Sequence, residues 1–387
     1  MSDFKPKKLW QIVWEQFKEH RLALISVCII VFLLMLSLAA PLISKVSGLH
    51  PDQQNVFHRF VPMGTRLPFS SIAKERSLDR FLKEYDLEAF INYFETQRFF
   101  PETPREDLIY ELFETHQQDE LLTILSAMPD YPHKLELLKL AKSQTTFHLL
   151  GTDELGRDVF IRLIYGTRVS LSVGILVAFA AAFIGLVIGS LAGFYGGILD
   201  AALMRFTDSL LSLPLLVVLI VVSAIDLAKL VEHTPLSFFL GNENESMIKM
   251  ILILCLFSWM QVARLVRGSI LSLKEQEFIL AAKTLGARDH LIILQHIVPN
   301  VIAPLLVAVT LGVGNSILFE AALSFLGLGI QPPTPSWGNM LNNAQEMLQH
   351  APMLAILPGL FILVTVMSFN YIGDGLQDAI DPKAIKR

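Results

Sequence analysis

The chain alternates long apolar runs with polar stretches. Six runs approach the ~20 residues that a helix needs to cross a bilayer: roughly 22–43, 169–191, 208–225, 248–265, 300–326 and 353–373. Each is predicted as a transmembrane helix; the third is short, with the least definite ends. Ahead of the first run, Trp10, Ile12, Val13, Trp14 and Phe17 sit among lysines and glutamates. That pattern suits a short amphipathic helix at the membrane interface, or a plain basic flank for the first span. Between the first two runs lies a long polar segment. Within it Leu78, Phe81, Leu82 and Tyr85 fall at helical spacing, with Phe90 further along. Thr103-Pro104-Arg105-Glu106 reads as a capping box with proline at the first helical position, opening a helix to about Thr115. Short helices are also expected near 118–127 and 133–143, and no alternating strand pattern or internal repeat is visible. A small, all-helical extramembrane domain follows.

The pattern inside the spans predicts packing. Gly185, Gly189 and Gly193 recur every four residues and share one helix face. Small residues at that spacing let helices approach closely in lipid, within the subunit or against a partner. Pro304 and Pro358-Gly359 weaken backbone hydrogen bonding and predict kinks, static or hinge-like. Cys28 and Cys255 each lie inside a span and read as packing residues, with no disulfide framework.

Composition agrees with the pattern: 53% of residues are hydrophobic and 17% charged, a balance that defines an all-α polytopic membrane protein. The net charge of -5 decides little, because the placement of charge matters more. Lys5, Lys7, Lys8, Lys18 and Arg21 precede the first span; Arg264, Arg267, Lys274, Lys283 and Arg288 lie between the fourth and fifth; Lys383, Lys386 and Arg387 close the chain. Basic residues in short loops stay cytoplasmic, and with six spans all three clusters fall on one side. Both termini and the 266–299 loop are therefore expected in the cytoplasm and the 44–168 segment outside. Ser37-Leu38-Ala39 resembles a cleavage site, but the apolar run is too long for a signal core, so an uncleaved signal-anchor is expected.

Candidate chemistry is sparse. There is no Gly-x4-Gly-Lys-Ser/Thr phosphate loop, no His-Glu-x-x-His, no Cys-x-x-Cys and no Gly-x-Ser-x-Gly. No catalytic, cofactor or metal site is expected, and His50, His58, His116, His133 and His148 read as solvated histidines. Glu320, with Asn315 nearby, lies inside the fifth span. An intramembrane carboxylate is costly and faces the bundle interior or a water-filled path. Both residues are candidates for a translocation path; Glu320 is also a candidate for a structural hydrogen bond between helices. Arg205 and Asp208 read as interface residues at the cytoplasmic end of the third span.

The most informative polar stretch is Glu277-Phe-Ile-Leu-Ala-Ala-Lys-Thr-Leu-Gly286, followed by Pro299-Asn300 and an apolar span. Ala281 and Ala282 are small, and Gly286 can turn the backbone where a side chain would obstruct it. The stretch is suited to presenting a short helix pair to a soluble partner. It resembles the "EAA" coupling loop of ABC-importer permeases. Three further stretches, in the same order, resemble the C-type permease subunit of dipeptide/oligopeptide ABC importers. These are His148-Leu-Leu-Gly-Thr-Asp-Glu-Leu-Gly-Arg-Asp158 with Tyr165-Gly-Thr-Arg-Val-Ser-Leu171, then Ala322-Leu-Ser-Phe-Leu-Gly-Leu-Gly-Ile-Gln-Pro-Pro-Thr-Pro-Ser-Trp-Gly338, then Asn370-Tyr-Ile-Gly-Asp-Gly-Leu-Gln-Asp-Ala-Ile-Asp-Pro382.

The resemblance implies six transmembrane helices of the type I ABC-importer permease kind, with an inserted small helical extracytoplasmic domain. It divides the chain into a cytoplasmic amphipathic N-terminus (1–21), a first transmembrane helix (22–43), the insert (44–147), a permease core (148–382) containing the coupling loop (266–299), and a cytoplasmic tail (383–387). It implies a second homologous permease, two cytoplasmic ATPases that use ATP, an extracytoplasmic binding protein and a bacterial inner membrane, with no nucleic acid. Ala281, Ala282 and Gly286 would shape the helices that dock on the ATPase, and Pro299 would mark the start of the fifth span. Two departures stand out. Leu280 replaces the glutamate that names the motif, and Glu277, one turn earlier, is a candidate to compensate. Residues 50–145 have no family counterpart. Peptides are the usual cargo of such permeases, although related systems carry nickel chelates, glutathione or peptide-like antibiotics. The alternative is a non-transporting membrane scaffold or receptor.

Overall fold

The structure, a computed structural model, describes residues 9–54, 59–68, 123–126, 134, 138, 145–225 and 245–380. The helices expected around 78–90 and 103–115 lie outside the described residues, while 123–126 is helical, within the helix expected near 118–127. Contacts divide the chain into two units: Met1–Ala39 with Leu163–Arg387, and Ala40–Arg162.

The regular elements among the first unit's described residues are all helices. In chain order the helices are α1 (Leu9–Glu19), α2 (Arg21–Ser47, ending in the second unit), α3 (Val159–Tyr195, starting in the second unit), α4 (Gly197–Leu211), α5 (Leu215–Ser223), α6 (Glu245–Leu273), α7 (Glu277–Thr284) and α8 (Asp289–Ile292). A π-helical turn, Ile293–Ile297, leads into α9 (Val298–Phe325); α10 (Trp337–Ala344) and α11 (Met353–Ile380) complete it. Among the described residues, five stretches are long and apolar enough to cross a membrane: α2, α3, α6, Asp289–Phe325 and α11.

The expected third span, 208–225, is not one straight helix. It straddles α4 and α5, which meet at 82° and make a sixth crossing only if the bent pair counts as one span. Pro214 is the physical reason. It lacks an N–H, pushes the preceding residue away from helical angles, and caps α5 in an extended conformation. The nine residues of α5 rise only ~14 Å, too little to cross a ~30 Å hydrocarbon layer alone.

The glycine row packs α3 onto α6 within this subunit. A β-carbon at Gly189 would lie 2.6 Å from the Ala263 carbonyl oxygen, and one at Gly185 2.6 Å from Val262 Cβ. On the same side, Arg267 of α6 forks onto Asp200 of α4 (2.5 and 2.6 Å), and Arg264 donates to Asp208 (2.5 Å). Asp208 is thus tied to α6 within the chain. Cys255 packs against the Ile253–Leu254 core, whereas Cys28 is exposed and points away from packing, contrary to expectation.

The amphipathic N-terminal segment forms α1, which buries Phe17 against Ala23 and Ala379 of α11. Trp14, one turn before Phe17 and stacked on its ring, stays exposed, with Lys18 Nζ 5.1 Å from its ring centroid. An exposed tryptophan beside a lysine is the composition of a helix lying in a membrane interface.

The second unit corrects two expectations. It contains a two-stranded antiparallel sheet, β1 (Thr65–Pro68) with β2 (Thr145–His148), in register Thr65 to His148. Four-residue strands drawn from distant parts of the chain leave no readable alternation. His148 is buried rather than solvated, its Nδ1 2.8 Å from Asp158 Oδ2. Alongside, Arg157 joins Asp153 (2.7 Å) and Glu154 (2.9 Å), and Arg162 donates to the Pro51 carbonyl. Burial, then repulsion from Asp153, pushes the Glu154 carboxyl above the usual carboxylate range. The unit runs on to Arg162, past the 147/148 boundary drawn from sequence.

Candidate functional site

The coupling stretch forms a helix, a turn and a second short helix. Glu277 opens α7, and α7 ends because Gly286 takes a left-handed conformation (φ 79°). The Gly286 N–H donates to Lys283 O and the Ala287 N–H to Ala282 O, closing the helix end. One face of α7 is tied down: Ile279 is fully buried in a cluster with Ile270, Ile292, Ile297 and Val301, and Ala282 packs on it. Lys283 Nζ sits 5.0 Å from the Phe194 ring centroid. The other face is open. Glu277 and Ala281 are exposed there, as are Phe278, Leu280 and Leu285, the last at 87%. The two alanines therefore differ in role: Ala282 packs inward and Ala281 faces out. Pro299 sits in the first turn of α9, directly after the π-helical turn.

Asn315 and Glu320, paired by sequence position, separate in space. Asn315 lines a cavity of about 600 Å³ walled by α3, α4, α6 and α9. Its polar lining among the described residues is Ser258, Gln261, Asn315 and Ser316, and none of those described residues is charged. Glu320 lies outside that lining and is fully buried. Ser170 of α3 donates to its Oε2 (3.0 Å) and Ser324 to its Oε1 (2.8 Å). Each serine in turn accepts a backbone N–H, from Trp337 (3.4 Å) and Ile330 (3.1 Å) respectively. One carboxylate thus anchors the loop between α9 and α10 at two points. Of the two readings of Glu320, the interhelical hydrogen bond is the one the geometry shows. Sequence reasoning missed Ser170, Ser324 and Trp337; the only signal was their presence in the quoted motif stretches. Trp337 is fully buried, its Nε1 donating to Leu163 O (3.3 Å).

The geometry defines a class: a polytopic helical membrane subunit with a half-open cavity whose described lining carries no charge, and a helix pair projecting from between two spans. Residues 185–386 match the family of binding-protein-dependent transport system inner membrane components, and residues 8–62 match the N-terminal TM domain of oligopeptide transport permease C. The chain belongs to this family of ABC-importer permeases. It is 42% identical over 236 residues to the dipeptide transport system permease protein DppC of Alkalihalophilus pseudofirmus, covering 61% of this chain and 72% of that one. It is 41% identical over 245 residues to the glutathione transport system permease protein GsiD of Pectobacterium atrosepticum (63% and 76%). It is 38% identical over 250 residues to the oligopeptide transport system permease protein OppC of Bacillus subtilis (65% and 76%). Among solved structures, an inward-facing form of the MetNI methionine ABC transporter matches 57% of this chain and 96% of that one, at 16% identity and a TM-score of 0.44.

Proposed function

We propose that this chain is one of two permease subunits of an ATP-driven importer, and that its cargo is a peptide. The observation that carries the reading is the helix pair turning at Gly286, whose outer face exposes Phe278, Leu280 and Leu285 between two spans. Exposed apolar groups on a polar loop mark a docking surface, and in this family the docked partner is the ATPase. The chain supplies no ATP site of its own: ATP is used by two cytoplasmic ATPases, while an extracytoplasmic binding protein delivers cargo. Dipeptide, oligopeptide and glutathione permeases among the relatives support a peptide substrate. The three basic clusters support cytoplasmic termini, with the bent α4–α5 pair counted as one span.

The test is purification of the tagged chain from its own cells in mild detergent, with partners identified by mass spectrometry. A second permease and ATPases should co-purify with the wild type. Gly286→Val should insert in the membrane normally but lose the ATPases and transport. Recovery of the intact chain alone, under conditions that preserve a known importer complex, would overturn the proposal.

A further inference from the structure

We infer that Gln261 and Asn315 contact the substrate in transit, presenting neutral carboxamides to its peptide bonds, so that this half of the path does not select by side-chain charge. The inference rests on the importer reading above. Gln261 is exposed on α6 and Asn315 on α9, each near the middle of a span, and both line the same cavity. Neither side chain has a hydrogen-bond partner among the described residues. A primary amide facing hydrocarbon without a partner is costly, so both groups belong to a space that holds water or a polar guest. The other two polar residues of the lining are less available. Ser258 gives its proton to Leu254 O (2.7 Å), and Ser316 is buried.

A carboxamide offers two N–H donors and a carbonyl acceptor, which complements the N–H and C=O of a peptide bond whatever side chain is attached. The remaining lining is apolar, with Phe257 and Phe319 among its walls. Conduction requires a guest to be held weakly enough to leave; two neutral amides and an apolar wall give weak, reversible contact. A cavity of about 600 Å³ falls within the ~300–1,000 Å³ typical of small-ligand sites. A fixed charge here would instead attract one class of peptide and repel another.

The experiment uses the complete transporter in proteoliposomes with its own binding protein. ATP-driven uptake is measured for tri-alanine, a tripeptide with two lysines and one with two glutamates. Each value is taken as a ratio to wild type, so that the binding protein's preference cancels. Asn315→Asp should lower uptake of the glutamate peptide about tenfold relative to tri-alanine, the scale of one close like-charge contact; Asn315→Lys should do the same to the lysine peptide. Equal losses for all three peptides, or no change, would overturn the inference while wild-type uptake keeps the importer reading standing. If the wild type moves none of the three, the peptide reading falls and this inference with it.

A second readout is independent of turnover. Asn315→Cys and Leu318→Cys are compared in a Cys28→Ala, Cys255→Ala background using a charged, membrane-impermeant thiol reagent. Labelling is expected at 315 and not at 318, which is exposed outside the cavity. Labelling of both alike, or of neither, would overturn a wet, cavity-facing Asn315.

Discussion

At the scale of single residues, Glu320 accepts hydrogen bonds from the Ser170 and Ser324 hydroxyls. Removing one partner of a buried polar pair costs more than the bond itself contributes, about 1–3 kcal/mol for the group left bare. Glu320→Leu is therefore expected to lower the thermal unfolding midpoint in detergent more than Glu320→Gln, which keeps one acceptor. Ser170→Ala should cost more in the wild type than in the Glu320→Leu background, where only its bond from the Trp337 N–H is left to lose; equal costs in both would remove the coupling. Gly286 is a residue-scale constraint of another kind, since its φ of 79° costs a side-chain-bearing residue about 1–2 kcal/mol. Asparagine tolerates that region best among such residues. Gly286→Asn should thus retain most uptake where Gly286→Val loses it. The requirement for glycine was legible in the sequence, because it concerns one residue and its neighbours. Glu320's partner Ser170 was not, because it lies 150 residues away in the chain.

At the scale of elements, α3 and α6 meet along a seam that has no room for a β-carbon at Gly189. Because the obstacle is backbone carbonyl as well as side chain, Gly189→Val must force the helices apart, at a cost of about 1–3 kcal/mol. A lower midpoint and a smaller yield of folded chain are expected; Gly268→Val, at a glycine with open space around it, is the control. The α4–α6 contact depends on the Asp200–Arg267 fork, which is only partly buried. Arg267→Ala should cost about 1 kcal/mol, and a double-mutant cycle with Asp200→Ala should recover that coupling. The spacing of the glycines announced a close approach but not its partner helix. The sequence reading ran one span through Pro214, where the structure bends the chain by 82°.

At the scale of the whole molecule, the coupling surface decides whether the subunit works in an importer. Leu280 stands where the motif of the resembling loops carries a glutamate and is flanked by exposed Phe278 and Leu285, so the proposed docking would lean on burial of apolar area. Leu285→Glu is expected to abolish ATPase co-purification while leaving insertion unchanged. Glu277→Ala, one turn before Leu280 on the exposed face, should weaken it severalfold; unaltered association would show that Glu277 does not compensate for the missing carboxylate. The sequence by itself determined the apolar runs, the coupling loop and the membership of the family. Each of these is a property of contiguous residues, and lipid forces backbone groups in a span to satisfy one another locally as helix. Only the tertiary structure decided that Asn315 opens on a cavity while Glu320, five positions on, is sealed against Ser170 and Ser324, that the glycine row faces α6, and that His148 is buried on Asp158. Those outcomes depend on which distant side chains meet when helices and strands pack, and no local pattern encodes a partner that the chain reaches only by folding.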